Sequence, residues 1–157
     1  MLNQLYENVK LFNNLAGDNL TKQGFINQQK VLLEEVKEID EGISNNDIVE
    51  ILDGVVDTLY VALGQLYKLE QLGCDIEGAI KRVGEDNLTK FTSSEEIAAA
   101  SVSFYNSKNV NVHWTRNEDY SRYVLKDENN KVKKPINFIP TDLSEFCPVE
   151  LRKNGLK

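Results

Sequence analysis

Apolar residues recur every three or four positions through residues 2–90, the period of helices that bury one face. Leu2, Leu5, Val9 and Phe12 predict a helix over 2–15 that Gly17-Asp18-Asn19 ends. Leu32, Val36, Ile39 and Ile43 form the core stripe of a helix over 22–43, stopping at Gly42 before a tight Ser44-Asn45-Asn46 connection. Ile48, Leu52, Val55, Val56, Leu59, Leu63 and Leu66 give a third helix over 47–72, capped by Asp47 or Asn46 and ended by Gly73. Asp75 starts a shorter helix that reaches about Lys90. After Phe91 the period changes. Thr92-Ser93-Ser94-Glu95-Glu96 signals a helix start, with a capping box from Thr92 or Ser93, and Ile97 to Ser107 continues that helix. Val110, Val112 and Trp114 then alternate with Asn111 and His113 as in a half-buried strand, with His113 on the polar side. Tyr120 to Leu125 form its partner across an Arg116–Asp119 turn, and a third short strand follows at Lys131–Lys134. The expected fold class is mostly α: a four-helix-bundle core with a small α+β insertion, helix plus β-hairpin, near the C-terminus. Residues 1–157 form one domain in this reading, with 92–134 as the insertion.

The polar positions carry the chemistry. No Lys or Arg occurs between Lys37 and Lys68, while Glu38, Asp40, Glu41, Asp47, Glu50, Asp53 and Asp57 all do. On a helical projection Glu34, Glu38 and Glu41 share one wedge of the second helix with Glu35 on its flank, and Glu50, Asp53 and Asp57 share a wedge of the third. A charge run is ordinarily a solvated face. Such faces pair Glu with Lys one turn on, whereas here Glu34/Glu38 and Asp53/Asp57 are like-charge pairs, each costing a few tenths of a kcal/mol, about 0.2–0.5, where an opposite pair would gain as much. The second wedge also runs on into Val61 and Gly64, which suits a face turned toward protein or ligand. Gathering these carboxylates raises their pKa values unless cations intervene. Mg²⁺, which takes a few carboxylates, keeps several waters and adds substrate phosphates, meets that need, with Mn²⁺ as a substitute.

The spacing Glu35-x-x-Glu38, eleven residues, Glu50-x-x-Asp53 resembles the signature of the MazG-like all-α nucleoside triphosphate pyrophosphatases, a superfamily that includes phosphoribosyl-ATP pyrophosphohydrolases. The surrounding Leu33-Glu34-Glu35-Val36-Lys37-Glu38 and Glu50-Ile51-Leu52-Asp53-Gly54-Val55-Val56-Asp57 are similar to the family's blocks, as are Arg82 to Phe91 and a tail of Lys131 to Pro135, Pro140 and Asp142-Leu143 like that of phage and bacterial members. The likeness extends over 22–91 and 128–146. It implies that Glu35, Glu38, Glu50 and Asp53 are catalytic and coordinate Mg²⁺. Asp57 is left open between metal, water and sugar, Asn87 and Lys90 take phosphate oxygens, and Phe25 and Gln28 lie where family members hold the base. Tyr60, which follows Asp57 on its helix, is a further substrate contact, although it sits at the edge of the apolar wedge and equally suits the core. The implied reaction is Mg²⁺-dependent hydrolysis of a (deoxy)nucleoside triphosphate to monophosphate and pyrophosphate by a metal-activated water, with a surplus carboxylate, Glu34 or Glu38, orienting or deprotonating that water. Simple members lack the 92–134 insertion. Its position makes it a lid or specificity element in which Trp114, Tyr120 and Tyr123 stack on a base and Arg116, Arg122 or Lys134 reach phosphate, against the favoured reading that it is a miniature core.

Composition narrows the partners. A formal charge of −7 opposes binding to duplex nucleic acid, which rests on Lys and Arg neutralising phosphates. Cys74 and Cys147 are too few and too separated to argue a disulfide framework, and the lone His113 leaves no Cys/His constellation for zinc. With no basic-then-apolar leader after Met1 and no long apolar run, the expectation is a cytoplasmic protein, in host cytoplasm if phage-encoded, with no membrane partner. The third helix is apolar over a wider arc than one small layer covers, which predicts a homodimer or tetramer. Three alternatives stay open: a hydrolase of an alarmone or other signalling nucleotide, a non-catalytic nucleotide-binding module, and a helical interaction protein whose acidic stripe docks a basic partner.

Overall fold

The structure, a computed structural model, describes residues 2–17 and 20–156, so Met1 and the Asp18-Asn19 part of the expected first stop lie outside the described residues. Among the described residues, six α-helices and three short strands follow in the order α1 (Leu2–Ala16), α2 (Lys22–Asn45), α3 (Ile48–Gln71), α4 (Ile76–Leu88), α5 (Glu95–Asn106), β1 (Val112–Asn117), β2 (Arg122–Asp127), β3 (Val132–Lys133) and α6 (Val149–Asn154), with a 3₁₀ turn at Ser144–Phe146. The protein is mostly helical, with a multi-helix core and a helix-plus-hairpin insertion toward the C-terminus. Contacts divide it into two compact units, Met1–Ile76 with Ser144–Lys157 and Glu77–Leu143, so α4 groups with the insertion.

In the first unit α2 and α3 run antiparallel and form the main contact, with α1 packed on α3. The turn between α2 and α3 is made by two residues with different tasks. Asn46 takes the left-handed conformation (φ 54°) that ends α2, and the Asp47 carboxylate accepts from the Val49 and Glu50 N–H groups at 2.9 and 3.2 Å, capping α3. Gly42 is not the expected stop, because α2 continues to Asn45. Its function is closeness: a Cβ there would lie 2.8 Å from the Ile51 nitrogen. Gly54 mirrors it from α3, where a Cβ would meet Ile39 Cγ1 at 2.8 Å and the Glu35 carbonyl oxygen at 3.2 Å. Glycine within a helix costs about 0.5–1 kcal/mol relative to alanine, a cost offset here by backbone approach at two levels of the pair. Against α3, α1 buries Val9 fully, while the Tyr67 hydroxyl donates to Asn14 Oδ1 at 2.8 Å and the Tyr6 hydroxyl to Glu70 Oε2 at 2.9 Å.

The expected core stripes are covered only in part: Leu32, Ile39, Leu63 and Leu66 are half-buried. Ile48 and Leu52 are 74% and 63% exposed, Val55, Val56 and Leu59 are also exposed, and so are Val36 and Ile43 on α2. Ile39 of the α2 stripe packs at the Gly54 seam, and three helices do not provide enough surface to cover the rest.

In the second unit α5 packs on β1 and β2 of an antiparallel sheet ordered β1-β2-β3 around Ala98, Ser101, Val112, Tyr123 and Leu125. The cap of α5 is Ser94, whose Oγ accepts from the Ile97 N–H at 3.2 Å, rather than Thr92 or Ser93. Thr92 instead bridges to Tyr123. The hairpin turn falls later than expected, since Arg116 and Asn117 pair with Tyr123 and Arg122 and Asn117 Oδ1 accepts the Tyr120 N–H at 3.2 Å, closing the loop locally. Trp114 meets Tyr123 edge-on at 5.1 Å, and the buried Tyr123 donates its hydroxyl to Glu95 at 3.1 Å. These two rings pack the miniature core; Tyr120 and His113 are exposed.

Candidate active site

The glycine seam brings the acidic faces of α2 and α3 level with each other. Glu35 is half-buried beside Gly54, while Glu34, Glu38, Asp53 and Asp57 are exposed around it. Burial holds the Glu35 carboxyl above the usual carboxylate range, and the negative charges of Glu38, Asp57, Glu34 and Asp53 push it further the same way. Glu35 therefore sits in a field contributed by both helices. Glu50, also half-buried, lies at the α3 N-terminus near Gly42 and is not among the groups acting on Glu35. Lys37, two residues after Glu35, is engaged with Glu41 at 2.9 Å.

Among the described residues no three Asp, Glu, His or Cys side chains stand close enough together to hold a metal ion, so the expected convergence of Glu35, Glu38, Glu50 and Asp53 on one point is not formed. Like charges one helical turn apart repel, and the exposed members extend into water. The donor chemistry nevertheless fits Mg²⁺ or Mn²⁺: hard carboxylate oxygens from two facing helices, one of them with an affinity for positive charge already raised by its neighbours.

One turn beyond Glu35 on α2 and Asp57 on α3, an open cleft of about 400 Å³ lies between α1, α2 and α3. Gln28, Tyr60 and Phe12 line it, Tyr60 standing edge-on to Phe12 at 5.9 Å. Gln28 donates through Nε2 to the Val61 carbonyl at 2.9 Å, and its buried Oε1 accepts from no protein group. Phe25 lies 6.0 Å from the Lys68 ammonium, and Lys68, a buried lysine, also lines the cleft. Sequence reasoning missed Lys68 and Phe12. The first cation after a long basic-free stretch was the available signal for Lys68, and only the docking of α1 reveals Phe12. Asn87 and Lys90 are brought together at the end of α4, Lys90 Nζ donating to Asn87 Oδ1 at 2.5 Å, and both belong to the second compact unit.

Two paired helices, each with an acidic pair, and an adjoining cleft make up the candidate site. Residues 14–87 match the phosphoribosyl-ATP pyrophosphohydrolase family, PRA-PH, and the resemblance read from the sequence holds over that segment. The match takes in both acidic pairs, Asp57 and Asn87, and ends before Lys90 and the hairpin. No curated protein and no solved structure matches the chain. Similarity to a hydrolase family over this segment supports enzymatic activity in general. No helix among the described residues is long and apolar enough to cross a membrane.

Proposed function

We propose that the protein is a Mg²⁺-dependent nucleoside triphosphate pyrophosphohydrolase that converts a (deoxy)nucleotide to its monophosphate and pyrophosphate. The observation that carries this reading is Glu35, half-buried in the combined field of Glu34, Glu38, Asp53 and Asp57 within the segment that matches a pyrophosphohydrolase family. Glu35, Glu38, Glu50 and Asp53, with Asp57 beside them, would hold the ion, which supplies charge neutralisation of the triphosphate and activation of the attacking water. The other steps fall to side chains. Gln28, Tyr60 and Phe25 orient the nucleoside in and beside the cleft. Asn87 and Lys90 hold phosphate oxygens, the lysine as a flexible point charge and the asparagine as a neutral donor. Water attacks in line, Glu34 or Glu38 takes its proton, and the bond to the departing pyrophosphate breaks. A nucleotide substrate and the two free thiols suit a cytoplasmic enzyme, and a second copy of the chain covers the exposed α2 and α3 stripes in a homodimer or tetramer.

The test is pyrophosphate release from a panel of ribo- and deoxynucleoside triphosphates and signalling nucleotides with Mg²⁺, repeated with Glu38→Gln and Asp53→Asn. Each variant loses about 10²-fold or more in kcat/KM, the scale of removing one preorganised electrostatic contact. Undiminished activity in both overturns the ligand assignment, and nucleotide binding without release identifies a binding module instead.

A further inference from the structure

Two thiols distant in sequence meet beyond the C-terminal end of α3. Cys74 is buried just after Gly73, and Cys147 is half-buried between the 3₁₀ turn and α6. Both are free, and they occupy facing positions of two segments that run side by side. The backbone is pinned on either side of them: the Asp75 N–H donates to the Phe146 carbonyl at 2.8 Å, and a Cβ on Gly73 would lie 3.3 Å from Pro148 Cγ. A disulfide needs Cβ carbons within about 4.5 Å and side chains directed at each other. With the residues on one side of the pair (Asp75 and Phe146) joined by a backbone hydrogen bond and those on the other (Gly73 and Pro148) in van der Waals reach, Cys74 and Cys147 face each other across the two segments, the placement that bond needs. Both lie in the first compact unit, Cys74 just before the chain enters Glu77–Leu143 and Cys147 just after it returns.

We propose that Cys74 and Cys147 form a redox modification site, in which a low-molecular-weight disulfide such as oxidised glutathione links them and closes a covalent loop around residues 77–143. Cys147, the more exposed, attacks as its thiolate one sulfur of the oxidant, whose S–S bond breaks to release one glutathione thiolate. Cys74 gives its proton to solvent and attacks the Cys147 sulfur, expelling the second glutathione. Two protons and two electrons leave the protein, and one glutathione disulfide becomes two glutathione molecules. Burial, together with the neighbouring Cys147 thiol, pushes the Cys74 thiol up to about 11. Its thiolate fraction, and with it the rate of closure, therefore climbs about tenfold per pH unit through the neutral and mildly alkaline range. The bridge constrains the unfolded chain over a long loop.

Incubating the full chain with oxidised glutathione at mildly alkaline pH and mapping its peptides without reduction tests this directly. The expected product is a single chain lacking two hydrogens and containing one linked Cys74–Cys147 peptide, with Tm raised by about 5 °C or more and restored by dithiothreitol. Cys147→Ser yields no such peptide. Free thiols after prolonged exposure to excess oxidant, a stable glutathione adduct on Cys147, or a bridge joining two chains overturns the proposal. The mapping uses the unaltered chain, so the result does not depend on how the serine variant folds.

Discussion

Glu35 shows how a single side chain links stability to activity. Burial and four neighbouring carboxylates raise its proton affinity in the folded state, so the native protein binds more protons than the unfolded chain between the two pKa values. Stability therefore falls as pH rises from the ordinary carboxylate value through the raised folded one, and above that the cost is fully present. Glu35→Gln removes the charge with little change of shape. Its Tm at neutral pH is expected to equal or exceed that of the parent protein, with a flatter Tm profile across the mildly acidic range, while pyrophosphate release falls about 10²-fold or more. A lower Tm at neutral pH would show that the Glu35 charge is compensated in the native state. Much at this scale was legible in the sequence. The acidic pairs follow from helical spacing, and their mutual repulsion from the absence of lysine in the same stretch. The unpartnered Gln28 oxygen and the meeting of Cys74 with Cys147 were not legible, since each depends on segments that only folding brings together.

Between elements, the α2–α3 seam decides where the acidic faces lie. Gly54→Ala places a methyl 2.8 Å from Ile39 Cγ1 and 3.2 Å from the Glu35 carbonyl, so the helices must separate or shift. Differential scanning should show a loss of about 1–3 kcal/mol, as for other overpacked interiors, and kcat should fall with it because Glu35 moves relative to Asp53 and Asp57. An unchanged Tm would mean that the seam yields freely. The sequence placed α1 to α4 close to their observed bounds, because apolar period and turn residues are local signals. It misread Gly42 as a stop, since a glycine that ends a helix and a glycine that admits a neighbouring backbone are identical until the partner helix is known. Ser94 in place of Thr92 or Ser93 as the cap of α5 has the same origin: three hydroxyl residues in a row offer equivalent local chemistry, and the bridge of Thr92 to Tyr123 selects among them.

The whole molecule exposes an apolar stripe that few monomers tolerate. Ile48, Leu52, Val55, Val56 and Leu59 lie along one face of α3, and Val36 and Ile43 add to it from α2. Sedimentation is expected to show a dimer or larger assembly at micromolar concentration, and Leu52→Glu to shift it toward monomer. A parent chain that sediments as a monomer would remove the second copy from the proposal. Apolar periodicity and the placement of charge, both carried by residues near one another along the chain, determined by themselves the helices, the hairpin, the acidic pairs and the resemblance to pyrophosphohydrolases. Only the tertiary structure decided which helix faces are turned inward, which carboxylate bears the field of the others, where the cleft opens and which cysteines face each other. Those outcomes depend on close approach between segments far apart in sequence, where glycine, burial and charge act through space rather than along the chain.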